Sequence, residues 1–151
     1  MSAPDRVLGV DPGPTPGIVL LTAAHGRLEA REVVQCSAGV LHLVLAALDP
    51  YHAVIGVERF VVGRRASRSA SAHAGAETRD QVGALEVLYP QARFRTAAQV
   101  KPWATDERLD AAGLLEATKG LRHARDAARH ALFAAVHDGV IPDPLSPGAH
   151  R

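Results

Sequence analysis

The chain is short of cysteine, lysine and aromatic residues, and each shortage narrows what it can be. Cys36 is the lone cysteine among 151 residues. That excludes an intrachain disulfide framework and a cysteine-built zinc site, and it fits a reducing compartment. Aromatic residues make up 4% of the chain, so Val, Leu and Ala have to supply most of the core. No apolar run approaches the roughly 20 residues of a membrane-spanning helix. None of signal-peptide type precedes the first apolar run at Val7. A soluble protein of the cytoplasm is expected. Only Lys101 and Lys119 are lysines, which leaves 15 of the 17 basic residues as arginine. Arginine favours bidentate phosphate contacts, although a GC-rich coding sequence also yields Ala- and Arg-rich protein.

What is present points to one compact α/β domain. Hydrophobic residues make up 47%, and 17 basic residues nearly balance 16 acidic ones. A chain of this length can bury a single core. The domain is expected over residues 1–141, followed by a Pro-rich tail over 142–151, frayed or extended.

Val7–Val10 is a short apolar run that reads as a buried strand, and Asp11-Pro12-Gly13-Pro14-Thr15-Pro16-Gly17 after it must turn. Ile18–Leu21 and Arg27–Gln35 complete a β-meander. Ser37 is placed to cap a helix whose stripe is Val40, Leu41, Val44, Leu45 and Leu48, ended by Asp49-Pro50. Ala53–Val57 is a fourth strand, parallel to an earlier one by the right-handed crossover rule. Arg59–Ala76 reads as a long irregular segment, Glu77–Tyr89 as a helix, and Ala92–Thr96 as a weak fifth strand. Thr105–Thr118 is expected to be helical with a break at Gly113, and Gly120–Asp138 to be the last helix. The pattern βββαβαβα predicts a ribonuclease H-like fold. That is a mixed five-stranded sheet, three strands antiparallel and then two parallel, with helices on both faces.

Within this frame Asp11 closes the first strand and Glu58 closes the fourth. His123 and Asp126 lie three apart on the last helix and so share a face. Three carboxylates and an imidazole suit Mg²⁺ or Mn²⁺. Two such ions, ~3.5–4 Å apart, are what phosphodiester cleavage uses to activate water, absorb charge and release an alkoxide. Asp11 is the bridging candidate, Glu58 and Asp126 each hold one ion, and His123 either ligates or steers the attacking water. Each residue also has an ordinary reading: Asp11 as a turn former, Glu58 as an exposed strand end, and His123 and Asp126 on a solvated helix face. Their combination favours a joint metal site. Gly9 and Gly56 each precede an acid by two residues and suit close approach of another element. His130 and His137 continue the His123 spacing by sevens and read as solvated or interface residues, not ligands. Trp103 reads as a core or dimer contact.

The segment after Glu58 carries Arg59, Arg64, Arg65 and Arg68 with no acid as far as Ala76. Each arginine can neutralise a phosphate, and Ser67 adds a neutral contact. Phe60 is the aromatic nearest the second acid. Lys101, after the fifth strand, is placed to reach a scissile-site phosphate.

Val7-Leu8-Gly9-Val10-Asp11-Pro12-Gly13 resembles the opening strand of RuvC-type Holliday junction resolvases, and Val54-Ile55-Gly56-Val57-Glu58 their second acidic strand. Gln81-Val82-Gly83-Ala84-Leu85 is similar to the helix after their junction-binding loop. His123-Ala124-Arg125-Asp126-Ala127 is similar to their terminal helix, and Val100-Lys101-Pro102-Trp103 to their lysine-bearing segment. The resemblance spans roughly residues 7 to 137. It implies a homodimer that cuts opposed strands of a four-way DNA junction with two Mg²⁺ or Mn²⁺ ions per site. The short chain and Arg-Ser loop look like those of phage-encoded members, acting in a bacterial cell or an infected host. Phe60 departs from the family in register, and the Arg-Ser loop has no clear equivalent there. Helix residues Val82, Leu85 and Leu88 are one candidate dimer surface. Other readings are a non-catalytic binder of branched DNA, a broader flap and fork nuclease, and half of an actin-like nucleotide-binding protein, for which 151 residues leave no second domain.

Overall fold

The computed structural model describes residues 4–61 and 72–148. Strand β1 (Arg6–Asp11) lies at the middle of a five-stranded sheet with β2 (Gly17–Ala24), β3 (Arg27–Gln35), β4 (Val54–Glu58) and β5 (Arg93–Arg95). The order is β3-β2-β1-β4-β5. β1 pairs antiparallel with β2, and β2 with β3, while β1 and β4, and β4 and β5, are parallel. This is the mixed sheet that the meander and the crossover predict. Central β1 is buried on both faces, so it reads as an uninterrupted apolar run. Edge strand β3 keeps mixed polarity because much of it meets solvent.

The helices are α1 (Leu41–Leu48), α2 (Ala72–Leu88), α3 (Ala97–Val100), α4 (Asp106–Ala111), α5 (Leu114–Ala117) and α6 (Arg122–His137). Because side chains alternate along a strand, the sheet feeds two cores. Leu8, Val10, Ile18, Leu20, Ile55 and Val57 pack with Leu41, Leu45, Leu85 and Tyr89, beneath α1 and α2. Val7, Val19 and Leu21 pack on the other face with Leu109, Leu114 and the alanines of α6. Val82 and Leu85 are buried, which removes them from the expected dimer surface. The large apolar residues that α2 exposes, among those described, are Val87 and Leu88.

Helix α6 sits unusually low on the sheet. Its buried face is nearly all alanine, and the strands beneath present glycine. A Cβ on Gly9 would fall on the Ala127 carbonyl oxygen, and one on Gly56 on the His130 carbonyl oxygen. Gly9 and Gly56 are register partners on β1 and β4. They form a trough in which the helix backbone rests.

Several local expectations change. Ser37 makes no capping bond, because a 3₁₀ turn over Ala38–Val40 intervenes before α1. α2 begins at Ala72, so the last part of the expected irregular segment is helical. Gly113, at φ 73°, separates α4 from α5 as expected. The start of the tail is tied down: Arg108 donates from Nε and Nη2 to the Asp143 carboxylate at 3.0 to 3.2 Å, and Pro144 is buried. Trp103 is half-buried, edge-on to Phe133 at 5.3 Å with the Arg108 guanidinium over its ring. No helix among the described residues is long and apolar enough to cross a membrane.

Candidate active site

Asp11 and Glu58 are the last residues of neighbouring parallel strands, one step beyond the Val10–Val57 register pair. Each lies two residues past the glycine on which α6 rests. By strand alternation both acids point to the α6 face. Close approach of the helix therefore also brings its side chains over them. Gly17 on β2 extends the trough, since a Cβ there would meet the His123 backbone.

The first turn of α6 is held from outside. Leu121, its N-cap residue, makes no side-chain capping bond. Instead the Gln35 side chain, at the end of β3, accepts from the backbone N–H of His123 at 2.8 Å and of Ala124 at 3.2 Å. Two donors that a helix start leaves orphaned are satisfied this way. A second glutamine pins the turn after Asp11: Gln81 accepts from the Gly13 N–H and donates to the Gly13 carbonyl, both at 2.9 Å. Neither long-range role leaves a trace in local spacing. Among the described residues Gln35 and Gln81 are supports that sequence reasoning does not find.

His123 Nδ1 lies 2.9 Å from Asp11 Oδ2. Asp126 takes Lys101 Nζ on Oδ2 at 3.0 Å, with Arg129 Nε 3.6 Å from Oδ1. Lys101 is thus beside the acids, at the end of α3, whose start is fixed by a Thr96–Gln99 capping box. Glu58 Oε2 lies 3.3 Å from His130 Nε2. Both atoms are shut off from solvent, and their alignment is not that of a hydrogen bond. His130 is therefore not solvated, as the sequence suggests, but 1% exposed beneath the strand that carries Glu58. His137 is exposed, as expected, and its ring stacks on Phe133 at 4.0 Å.

Asp11 is 7% exposed. Burial first, then the charge of Glu58, then that of Asp126, push its carboxyl up to about 6, against the lowering effect of the His123 hydrogen bond. Three carboxylates therefore feel one another at one end of the sheet. They do not form the open four-ligand cage that the sequence suggests. Each is turned to a protein donor, and among the described residues no three His, Asp or Glu side chains converge closely enough to hold a metal ion. The reason is electrostatic: crowded anions in a low-dielectric site pair with whatever donor is nearest. The same crowding makes the site fit a divalent cation. Its donors are hard carboxylate oxygens and an imidazole, and a cation would relieve the repulsion that Glu58 and Asp126 exert on Asp11.

Burial of Asp11, with this repulsion added, makes stability depend on pH. The Asp11 carboxyl titrates near 3.8 in the unfolded chain and at about 6 in the folded one. Between those values the folded state keeps a proton that the unfolded state has released, so stability falls as pH rises through the window. Above it the ionised carboxylate costs about 3 kcal/mol. Asp11→Asn is expected to exceed the parent in stability by up to that amount near pH 7.5 with chelator present, the advantage disappearing below about pH 4. Urea unfolding of both proteins across this range tests it. A gap that does not change with pH would contradict the assignment.

The expected nucleic-acid contacts divide. Arg59 is committed to Glu86, Nη2 to Oε1 at 2.6 Å, and lies over the Phe94 ring. Phe60 is half-buried, 3.9 Å from where a Cβ on Gly75 of α2 would lie. With Glu58, Arg59, Val61 and Thr96 it lines an open hollow of about 470 Å³ beside the acids. Arg64, Arg65, Ser67 and Arg68 lie outside the described residues.

No protein-family model matches the chain, and no curated protein matches it. Among solved structures, T. thermophilus RuvC in complex with a Holliday junction substrate is similar, with a TM-score of 0.60 and 21% sequence identity. The match covers 89% of this chain and 96% of that one. The two share the ribonuclease H-like fold.

Proposed function

We propose that the chain is a divalent-metal-dependent endonuclease for branched DNA, four-way junctions foremost. One observation carries this reading. The fold sets Asp11 and Glu58 at paired strand ends on the face where α6 delivers His123 and Asp126, close enough for their charges to perturb Asp11. The structural neighbour, held in its complex with a Holliday junction substrate, supports branched DNA as the ligand.

In this reading Asp11, Glu58, Asp126 and His123 hold two Mg²⁺ or Mn²⁺ ions. When bound, such ions lower the pKa of water and offset charge on the phosphate. The chain's residues do the rest. Burial of Asp11 between β1 and α6 keeps the carboxylate from turning. His123, bonded to Asp11, fixes its Oδ2 and can take part in orienting the attacking water. Lys101 brings a positive charge to the rim, where it can leave Asp126 for a scissile phosphate. The open hollow lined by Phe60 and Arg59 lies on the path a strand would take to Glu58, and the arginines after it neutralise backbone phosphates. Two opposed cuts need two sites, and a homodimer supplies them. Exposed Leu43 on α1 and Val87 and Leu88 on α2 are apolar surface available for it.

The deciding experiment compares four-way, flap and fork substrates side by side in Mn²⁺. Symmetric paired nicks confined to the four-way junction are expected. Equal cutting of all three would replace resolution with broader debranching. Binding without any cutting would favour a non-catalytic role.

A further inference from the structure

The geometry points to His130 as the residue that positions Glu58, an inference that rests on the metal-dependent reading above. Helix α6 buries eight residues, and seven are Ala or Leu. His130 is the exception, and it is placed where an apolar side chain would serve packing better. An imidazole this deeply buried is costly unless it meets a polar partner. Among the described residues the polar atom set against Nε2 is Glu58 Oε2, at 3.3 Å, and neither atom has a hydrogen bond there. The approach is built in from the backbone. Gly56 lets the His130 carbonyl rest on β4, and Glu58 is the next residue on the same face of that strand. Helix side chains tilt toward the helix N-terminus, which is the end of α6 that lies over the acids.

A small rotation of either side chain turns this contact into a hydrogen bond from Nε2–H to Oε2. The ring then carries a proton on Nε2. Oε2 is occupied by the protein, and Oε1 is left as the face that a cation can take. Without the imidazole, Glu58 has no described partner on Oε2 to stop it from turning about its own bonds. Outer partners of this kind orient carboxylate and imidazole ligands, and their loss typically costs about 10–100-fold in metal affinity. His123 has a different place: it contacts Asp11 and lies in the expected ligand set, whereas His130 reaches the site only through Glu58.

The test uses the full chain, stripped with chelator, with Mn²⁺ as the probe. Mn²⁺ binding is followed by loss of the free-ion electron paramagnetic resonance signal and by the Mn²⁺-induced rise in Tm. Junction cleavage is measured over a Mn²⁺ titration. His130→Leu is expected to raise the Mn²⁺ concentration for half-maximal binding and for half-maximal cleavage by about 10–100-fold. Cleavage at saturating Mn²⁺ stays within a few-fold of the parent, and the metal-free Tm does not fall. His130→Gln, whose amide can place a donor near the position of Nε2, restores most of the affinity. His130→Asn, which is too short, does not. A merely structural role would lower the metal-free Tm and leave the Mn²⁺ dependence alone, and that result overturns the inference. Should His130→Leu fail to fold, the Gln and Asn variants carry the comparison, and equal Mn²⁺ affinities for those two overturn it. Glu58→Gln serves as reference. If it weakens Mn²⁺ binding while the His130 variants do not, the inference fails and the metal site stands. If the parent protein binds no Mn²⁺, both fail.

Discussion

Asp11→Asn is expected to lose junction cleavage by about 10³-fold or more while binding the junction within a few-fold of the parent. The substitution keeps size and shape and removes one negative charge. Of the three acids Asp11 is the most deeply buried, and both Glu58 and Asp126 act on it electrostatically. In the proposed reading it is the group around which paired cations would be arranged. Taking away a carboxylate at that position removes stabilisation present at the transition state. A 10³-fold loss corresponds to about 4 kcal/mol, a reasonable share for one central group. In the same reading, binding would depend instead on phosphate neutralisation by Arg and Lys residues away from Asp11. Single-turnover cleavage and gel-shift titration separate the two effects. The variant is also expected to be more stable than the parent at neutral pH, so misfolding would not account for lost activity. A variant that cuts at the parental rate would remove Asp11 from the mechanism, and with it the reading of the whole cluster.

The second large effect falls on folding. Gly9→Ala and Gly56→Ala each add one methyl group, and each is expected to destabilise the protein by about 3 kcal/mol, the upper end of the usual range for overpacking. The obstacle decides the sign. The new Cβ on Gly9 meets the Ala127 carbonyl and, at 2.9 Å, the Ala131 Cβ. On Gly56 it meets the His130 carbonyl and, at 3.2 Å, the Ala134 Cβ. These are the backbone and the shortest side chains of a mid-helix segment, and they have no rotamer through which to give way. Helix α6 has to lift as a body, and its departure carries His123, Asp126 and His130 away from Asp11 and Glu58. A fall in Tm of about 6–12 °C is expected for each, together with weaker cleavage at temperatures where the variant is still folded. Gly83→Ala is the internal control. It lies on the exposed side of α2 with nothing within 4 Å of an added Cβ, and Ala there gains up to about 1 kcal/mol in helix propensity. If Gly9→Ala behaved like Gly83→Ala, close packing of α6 on the sheet would be refuted.

These two results depend on different kinds of information in the chain. Local pattern was enough for the strands, because a central strand buried on both faces is written as an apolar run and an edge strand is not. It was enough to place Asp11 and Glu58 at strand ends, and to see that His123 and Asp126 share a helix face, since 2.0- and 3.6-residue periods are properties of the backbone alone. It also singled out Gly9 and Gly56, two residues before each acid. What pattern left open was which groups touch. His130 looked like a surface residue because its heptad spacing continues that of His123, yet α6 crosses the strands and lays Ala127 over β1 and His130 over β4. Gln35 reaches the start of α6 across 88 residues, and Gln81 reaches Gly13 across 68. The acids lie against His123, Lys101 and His130 in place of an open cage, because crowded charges turn to the nearest protein donor. Sequence periodicity thus determined the secondary structure and the side on which each functional residue lies. Only the tertiary structure decided the partners, because those contacts arise where a glycine trough lets one helix descend onto three strands, and that approach is set by packing over the whole sheet.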